Sequence, residues 1–188
     1  MPPIVRRVRP DEGLRLRALR LRALADAPWA FGSTLAREEA FAEAVWQERA
    51  ARGATGEHGV TCVAEDGDRW IGMAIGRVAD GLRLDLVGMF VEPAARGRRA
   101  GVALVEAVAA WARDRGVAHL YLRVTSTNQA ALALYHRCGF KKTGRSQPLD
   151  HTPSLLELEM VRDRDGQGRG GQPVSRGVRN ARGAEGEP

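Results

Sequence analysis

The sequence predicts an α/β domain with a mixed, mostly antiparallel central sheet flanked by helices, in the order βααβββαβαββ. Three observations carry that prediction. In the middle of the chain, short runs rich in apolar residues are divided by Asp66-Gly67-Asp68 and Asp80-Gly81, the turn signals of a β-meander. Two helical repeats follow, over 97–115 and 129–137, with a strand pattern between them. Two more strand patterns close the series with no helix between them.

Each element has a local reason. Ile4 to Val8 alternates apolar with basic residues and reads as a first strand. Pro10-Asp11-Glu12 opens a helix with Asp11 as its N-cap and Leu14, Arg17, Leu21 and Leu24 on one side. It ends before Asp26-Ala27-Pro28, and Trp29 to Thr34 is a loop carrying two exposed aromatics, Trp29 and Phe31. Ser33 or Thr34 caps a second helix over 35–52, which the segment Gly53 to Gly59 breaks. Strands are expected at 60–64, 69–78 and 83–91. The long helix over 97–115 has a wide apolar face that includes Leu104, Val105, Val108 and Trp111, and Gly116 terminates it. In His119 to Val124, Leu120, Leu122 and Val124 alternate as a strand; Thr125-Ser126-Thr127-Asn128 then offers caps for the helix that Cys138-Gly139 closes. The last strands, 141–147 and 155–161, flank a loop from Pro148 to Ser154. These elements place one domain over 1–162. The Gly- and Arg-rich residues 163–188 have almost nothing to bury and are expected to form a disordered tail.

Composition narrows the function classes. The net charge of +6 invites a nucleic-acid reading, but the cations are nearly all Arg, dispersed among Asp and Glu, with no basic run interleaved with aromatics. Nucleic acid is therefore not the expected partner. The tail has five Arg against four acids, so the domain keeps about +5, a charge that favours a polyanionic small molecule. No apolar stretch is long enough to span a bilayer, and Arg6, Arg7 and Arg9 are followed by no signal-like apolar segment; a cytoplasmic location is expected. Cys62, Cys138 and the four histidines match no metal-ligand spacing, so two reduced thiols and no metal are expected.

Chemistry concentrates in Val87 to Val105: a strand, a Pro-marked break, then an Arg- and Gly-rich turn opening a helix. Such a junction converges backbone N–H groups and the positive end of a helix dipole on one spot, which makes an anion site and best a phosphate site. A Walker loop needs Gly-Lys-Ser/Thr, and a dinucleotide fold needs three glycines in an early βαβ unit; both are absent.

Three patches give the junction a relative. Met89-Phe90-Val91-Glu92-Pro93 leads into Arg96-Gly97-Arg98-Arg99-Ala100-Gly101; Asn128 opens a run ending in Tyr135; and Tyr135-His136-Arg137-Cys138-Gly139-Phe140 follows. Together they resemble the GNAT superfamily of acyl-CoA-dependent N-acyltransferases, over residues 4 to 162. The loop is similar to the family's Arg/Gln-x-x-Gly-x-Gly/Ala pattern, with Arg99 where the family usually has Gly. Ordinary helical backbone angles are expected at Arg99, so that its N–H still donates.

The resemblance implies the GNAT fold, acetyl-CoA as donor co-substrate, and direct attack by a primary amine in a ternary complex. It implies that the main chain of Met89 and Val91 pairs with the pantetheine arm beside a bulged fourth strand. The amides of Arg96, Gly97, Arg98, Arg99, Ala100, Gly101 and Val102 would hold the pyrophosphate, and Asn128 the pantetheine arm. Tyr135 would give its proton to the leaving thiolate, and the N–H of Phe90 or Val91 would polarise the thioester carbonyl. Asp85 and Glu92 are the candidate bases, each equally readable as a solvated acid on a strand face. Trp29 and Phe31, with Trp46, are candidate lining of the acceptor pocket, beside the Pro148 to Ser154 loop. The acceptor is a small-molecule amine or a peptide or protein amine, and the chain a monomer or homodimer. A catalytically silent acyl-CoA-binding module of the same fold is the alternative.

Overall fold

The computed structural model describes residues 3–79 and 83–163. The elements are β1 (Ile4–Arg7), α1 (Gly13–Asp26), α2 (Leu35–Glu39), α3 (Glu43–Thr55), β2 (Gly59–Asp66), β3 (Arg69–Val78) and β4 (Leu84–Val91). They continue with α4 (Ala100–Asp114), β5 (His119–Thr125), α5 (Gln129–Arg137), β6 (Lys141–Leu149) and β7 (Thr152–Asp163). Short 3-10 turns at Pro28–Ala30 and Pro93–Ala95 precede the second helix and α4. The Asp80-Gly81 turn signal and residues 164–188 of the expected tail lie outside the described residues.

Seven strands form one sheet in the order β1-β2-β3-β4-β5-β7-β6. Among the described residues only the β4–β5 pair is parallel, because α4 carries the chain back across the sheet. β2–β3, β3–β4 and β6–β7 are consecutive antiparallel pairs, and β1–β2 and β5–β7 are antiparallel through longer connections. The alternation of side chains divides the core in two. One face packs Leu84, Leu86, Leu120, Leu122, Phe140 and Met160 with α4 and α5. The other face packs Val63, Met73 and Phe90 under α1 and α3 through Leu16, Leu19 and Trp46. Among the described residues the far half of that second face has no α-helix against it. It carries ion pairs instead: Arg77–Asp85 at 3.4 Å, Arg83–Asp85 at 2.9 Å and Arg83–Glu159 at 2.8 Å.

Four sequence-level expectations are corrected. The helix over 35–52 is two helices, α2 and α3, broken at Ala40 to Ala42. Ala42 is extended there and Phe41 packs on Trp46, 6.1 Å between rings, so the pair brackets the start of α3 as a hydrophobic staple. α3 runs to Thr55, three residues past the expected Arg52, and stops at Gly56 in the left-handed region, within the expected breaking segment. In α1 the first-turn residue Glu12, not Asp11, occupies the cap position; its carboxylate is held by Arg6 and by the N–H of Arg9. Leu14 is exposed, while Leu16, Leu19, Ala23 and Leu24 face inward. Finally, Pro148 to Ser154 is not a loop, since β6 and β7 run almost into each other and leave a tight turn at Asp150-His151. Thr34, one of the two expected caps, accepts from the Arg37 N–H at 3.3 Å.

Candidate active site

Gly88 creates the first element of the site. Across β3–β4, Met73 pairs with Phe90 and Ile75 with Val87, so two residues of β4 oppose Ala74 alone. Gly88 has φ +61, the backbone a glycine-started bulge requires. The bulge turns β4 away from β5. Their ladder spans Leu84↔Leu120 to Leu86↔Leu122 and stops there, which opens a notch between the C-terminal ends of two parallel strands. Beyond Leu86, the β5-facing edge of β4 has no ladder partner among the described residues.

The second element follows directly. After the 3-10 turn, the Arg96 N–H bonds Pro93 O and the Arg98 N–H bonds Ala95 O. The N–H groups of Gly97, Arg99, Ala100, Gly101 and Val102 have no acceptor among the described residues. Five unsatisfied donors at the start of a 15-residue helix form a built anion cradle, with the helix dipole behind it. Two of the seven expected amides, those of Arg96 and Arg98, bond within the turn.

Arg99 does not have ordinary helical backbone angles. Its φ is +64 and ψ +3, left-handed, and it is the one non-glycine with positive φ among the described residues. That angle turns the chain into α4 and is what a glycine at this position would supply without strain. The long helix accordingly begins at Ala100, not Gly97. The Arg96 side chain braces the loop from behind: Nε donates to Val91 O at 3.1 Å and Nη2 to Asp26 at 2.6 Å.

On the far wall stands α5. The Asn128 Oδ1 accepts from the Ala131 N–H at 3.1 Å, a true N-cap that leaves the amide nitrogen available to donate. Tyr135 is 6% exposed and lies edge-on to Phe140, 5.8 Å between rings. Burial raises its pKa, so the phenol holds its proton across the physiological range.

A cavity of about 820 Å³ lies on the opposite face of the sheet, reaching the bulge at Gly88. Phe31, Trp46, Met73 and Asp85 are among its walls. Phe31 is buried, contrary to its expected exposure, and carries the Arg20 guanidinium 4.6 Å above its ring. Trp29 is 40% exposed and lies outside the cavity lining; its carbonyl accepts from the Thr125 hydroxyl. The two candidate bases are separated. Asp85 borders the cavity with both carboxylate oxygens engaged by Arg83 and Arg77. Glu92 is clamped between Arg22 and Arg69 at 3.0 and 2.9 Å and faces another depression, beside Trp70.

Two acids of the cavity carry no spacing that marks them in the sequence. Glu38 is buried between Arg20 and Arg49, at 2.8 and 3.0 Å. Its burial alone would raise its pKa, but the two guanidiniums and Ser33 bring it below the usual carboxylate range. Glu157, half-buried on β7, pairs in register with Thr125 next to the notch, and Gln147 Nε2 donates to it at 3.3 Å. Neither cysteine is near a nucleophile's requirements: burial pushes the Cys62 thiol to about 11 and raises Cys138 as well. Among the described residues no cluster of ligands suits a metal ion, and no helix is long and apolar enough to cross a membrane.

Comparison with known proteins agrees with this geometry. The model of the acetyltransferase (GNAT) family matches residues 20–140. The streptothricin acetyltransferase of Streptomyces lavendulae is 37% identical over 87 residues, which is 46% of this chain and 46% of that protein. N-acetyltransferase 8 of Homo sapiens is 36% identical over 89 residues, 45% of this chain and 39% of its own length. The chain therefore spans less than half the length of these two curated relatives. Among solved structures, yncA of Salmonella typhimurium, determined with acetyl-CoA, has a TM-score of 0.72 at 18% identity. It covers 88% of this chain and 95% of its own, a likeness of fold. With the family model matching well over half of its residues, and the notch and amide cradle in place, the chain belongs to the GNAT acetyltransferase family.

Proposed function

We propose that the chain transfers acetyl from acetyl-CoA to a primary amine by direct attack in a ternary complex. The observation that carries this reading is the continuity of Val87 to Val102. One stretch of chain presents a strand edge without a ladder partner and then five N–H groups without acceptors. An extended amide-bearing arm ending in a pyrophosphate matches both, in that order. The pantetheine arm pairs with β4 through the main chain of Met89 and Val91, and the Asn128 amide nitrogen donates to it. The pyrophosphate takes the N–H groups of Gly97, Arg99, Ala100, Gly101 and Val102.

The chemistry then needs a neutral amine beside the thioester. Its lone pair attacks the carbonyl carbon, whose oxygen is polarised by the N–H of Phe90 or Val91. The C–S bond breaks, Tyr135 supplies the proton to the departing thiolate, and the excess proton on nitrogen leaves through water toward Asp85. Glu92 is set aside as the base because it faces a different depression; Asp85, although it too is paired with two arginines, borders the cavity. A ternary complex fits better than an acyl-enzyme because both cysteines are buried and held as thiols.

The test is a CoA-release assay over a panel of amines, with calorimetric titration of CoA alongside. Tyr135→Phe should bind CoA like the wild type and lose about 10²- to 10⁴-fold in kcat. Absence of CoA binding would sink the reading. CoA binding with no turnover on any amine would favour the catalytically silent module.

A further inference from the structure

We infer that the acceptor is a zwitterion: an amine that also carries a carboxylate several bonds away, read by the two walls of the large cavity. The inference rests on the proposed acetyl transfer and names its substrate class.

The wall built by α1, α2 and α3 is positive and incompletely bonded. Arg20, Arg49 and Arg52 border the cavity there; Glu38 pairs with Arg20 and Arg49, and Glu48 with Arg52 from outside the lining, which leaves a net of one positive charge. Arg20 gives Nε and Nη2 to Glu38, while its buried Nη1 has no partner. Trp46 is 1% exposed, and its Nε1 is likewise buried without a partner. Buried donors are normally satisfied, so two donors without a partner among the described residues, on side chains lining one cavity, point to an acceptor that enters from it as those side chains turn to meet it. A planar carboxylate suits the arginine edge and can also accept from an indole N–H.

The opposite wall is acidic by one charge at the cavity itself, with Arg83 and Arg145 beside Glu157 in the adjoining depression. Glu157 and Asp150 border the cavity from β7 and the β6–β7 turn, with Arg123 the cation among them. Among the described residues Glu157 has no cation within salt-bridge distance; its recorded partner is Gln147. The floor between the walls, Arg77 with Asp85, is already paired. Glu157 shares its sheet face with Glu159, Arg83 and Asp85, and its register partner Thr125 ends the strand that borders the notch. An ammonium drawn to Glu157 therefore waits beside the place where acetyl would be delivered.

Separation sets the size class. The positive wall lies over β2 and β3, and Glu157 lies on β7, with β4 and β5 between. Three strand spacings are on the order of 14 Å at the backbone, shortened by the lean of long side chains from both walls. An α-amine beside its own carboxylate is too short to reach both. An ω-amino acid, or a short peptide with its amine on a flexible side chain, reaches both.

The experiment compares 6-aminohexanoate with 6-aminohexanamide as acceptors. It also titrates the two acetylated products into the CoA-bound protein by calorimetry, which does not depend on turnover. The wild type should favour the carboxylate at least tenfold in kcat/KM and in product affinity. Arg20→Gln should collapse that ratio toward one, and so should Trp46→Phe, which keeps an aromatic ring and loses only the N–H; thermal melts identify a variant that fails to fold. Equal use of carboxylate and amide by the wild type would overturn the inference and leave acetyl transfer standing. A carboxylate preference in binding without acetylation of either amine would leave this site standing and sink the transfer reading.

Discussion

Replacing Arg99 with glycine should stabilise this protein, an unusual direction for a substitution inside a ligand loop. Arg99 holds φ +64 at the N-cap of α4, and its exposed side chain makes no hydrogen bond or ion pair among the described residues. A left-handed conformation costs a residue with a Cβ about 1–2 kcal/mol. Glycine removes that strain but returns roughly 0.5–1 kcal/mol through its greater freedom in the unfolded chain. The net gain lies between about 0 and 1.5 kcal/mol, or up to roughly 6 °C in Tm for a chain of this size. Arg99→Ala separates the causes, because it deletes the guanidinium and keeps the Cβ. Differential scanning fluorimetry should place Arg99→Gly above the wild type and Arg99→Ala near it. Calorimetric titration of CoA should show Arg99→Ala weakened severalfold, with a shallower salt dependence, if the guanidinium lies along the phosphates. A melting temperature for Arg99→Gly below that of the wild type would refute the left-handed assignment and the strain argument with it.

Other perturbations test separate parts of the structure. Gly88→Ala forces a Cβ into the left-handed region, 3.0 Å from Ile75 Cδ1, so it should cost about 1–2 kcal/mol and weaken CoA binding; melts and calorimetry read both. Hydrogen bonds from Arg6 hold the Glu12 carboxyl at about 2, below its ordinary 4.5, against the opposing effect of burial. A depressed carboxylate stabilises the fold fully above its unfolded pKa and loses that contribution as pH falls through the folded one. Stability should therefore decline between about pH 4.5 and 2 by up to about 3 kcal/mol from this group, and Glu12→Gln should flatten the slope in urea melts. At pH 8 Cys62 and Cys138 should resist a thiol-specific reagent until denaturant is added; prompt modification of the native protein would reopen an acyl-cysteine route.

Much of the architecture was legible because local pattern and tertiary demand coincide. Leu120, Leu122 and Val124 alternate, and all three are buried under α4 and α5. Asn128 reads as a cap and is one. The failures have physical causes. Ala40 to Ala42 contain no Gly or Pro, so the α2–α3 break is invisible until Phe41 meets Trp46. Pro148 and Pro153 imitate a loop, yet β6 is an edge strand and Pro153 lies at the start of β7, where the missing N–H is tolerated. At Arg99 the side chain advertises helix while the turn demands glycine's backbone, a conflict only the dihedral reveals. Glu38 and Glu157 become cavity residues through pairings with partners far along the chain, or through strand register; no local window contains those partners.

The notch between β4 and β5 has a consequence for handling the protein. Sheets ordinarily guard their outer strands against stray pairing, but here the exposed ladder lies between two strands in the middle of the sheet. A chain stripped of its donor molecule thus offers an interior docking rail to any extended backbone narrow enough to enter. Saturating CoA would close that rail and add stability by mass action, about 2.7 kcal/mol at a hundredfold excess over Kd. On the proposed reading, the defect that would admit the donor would also make the empty protein the more vulnerable form, so that occupancy doubles as protection.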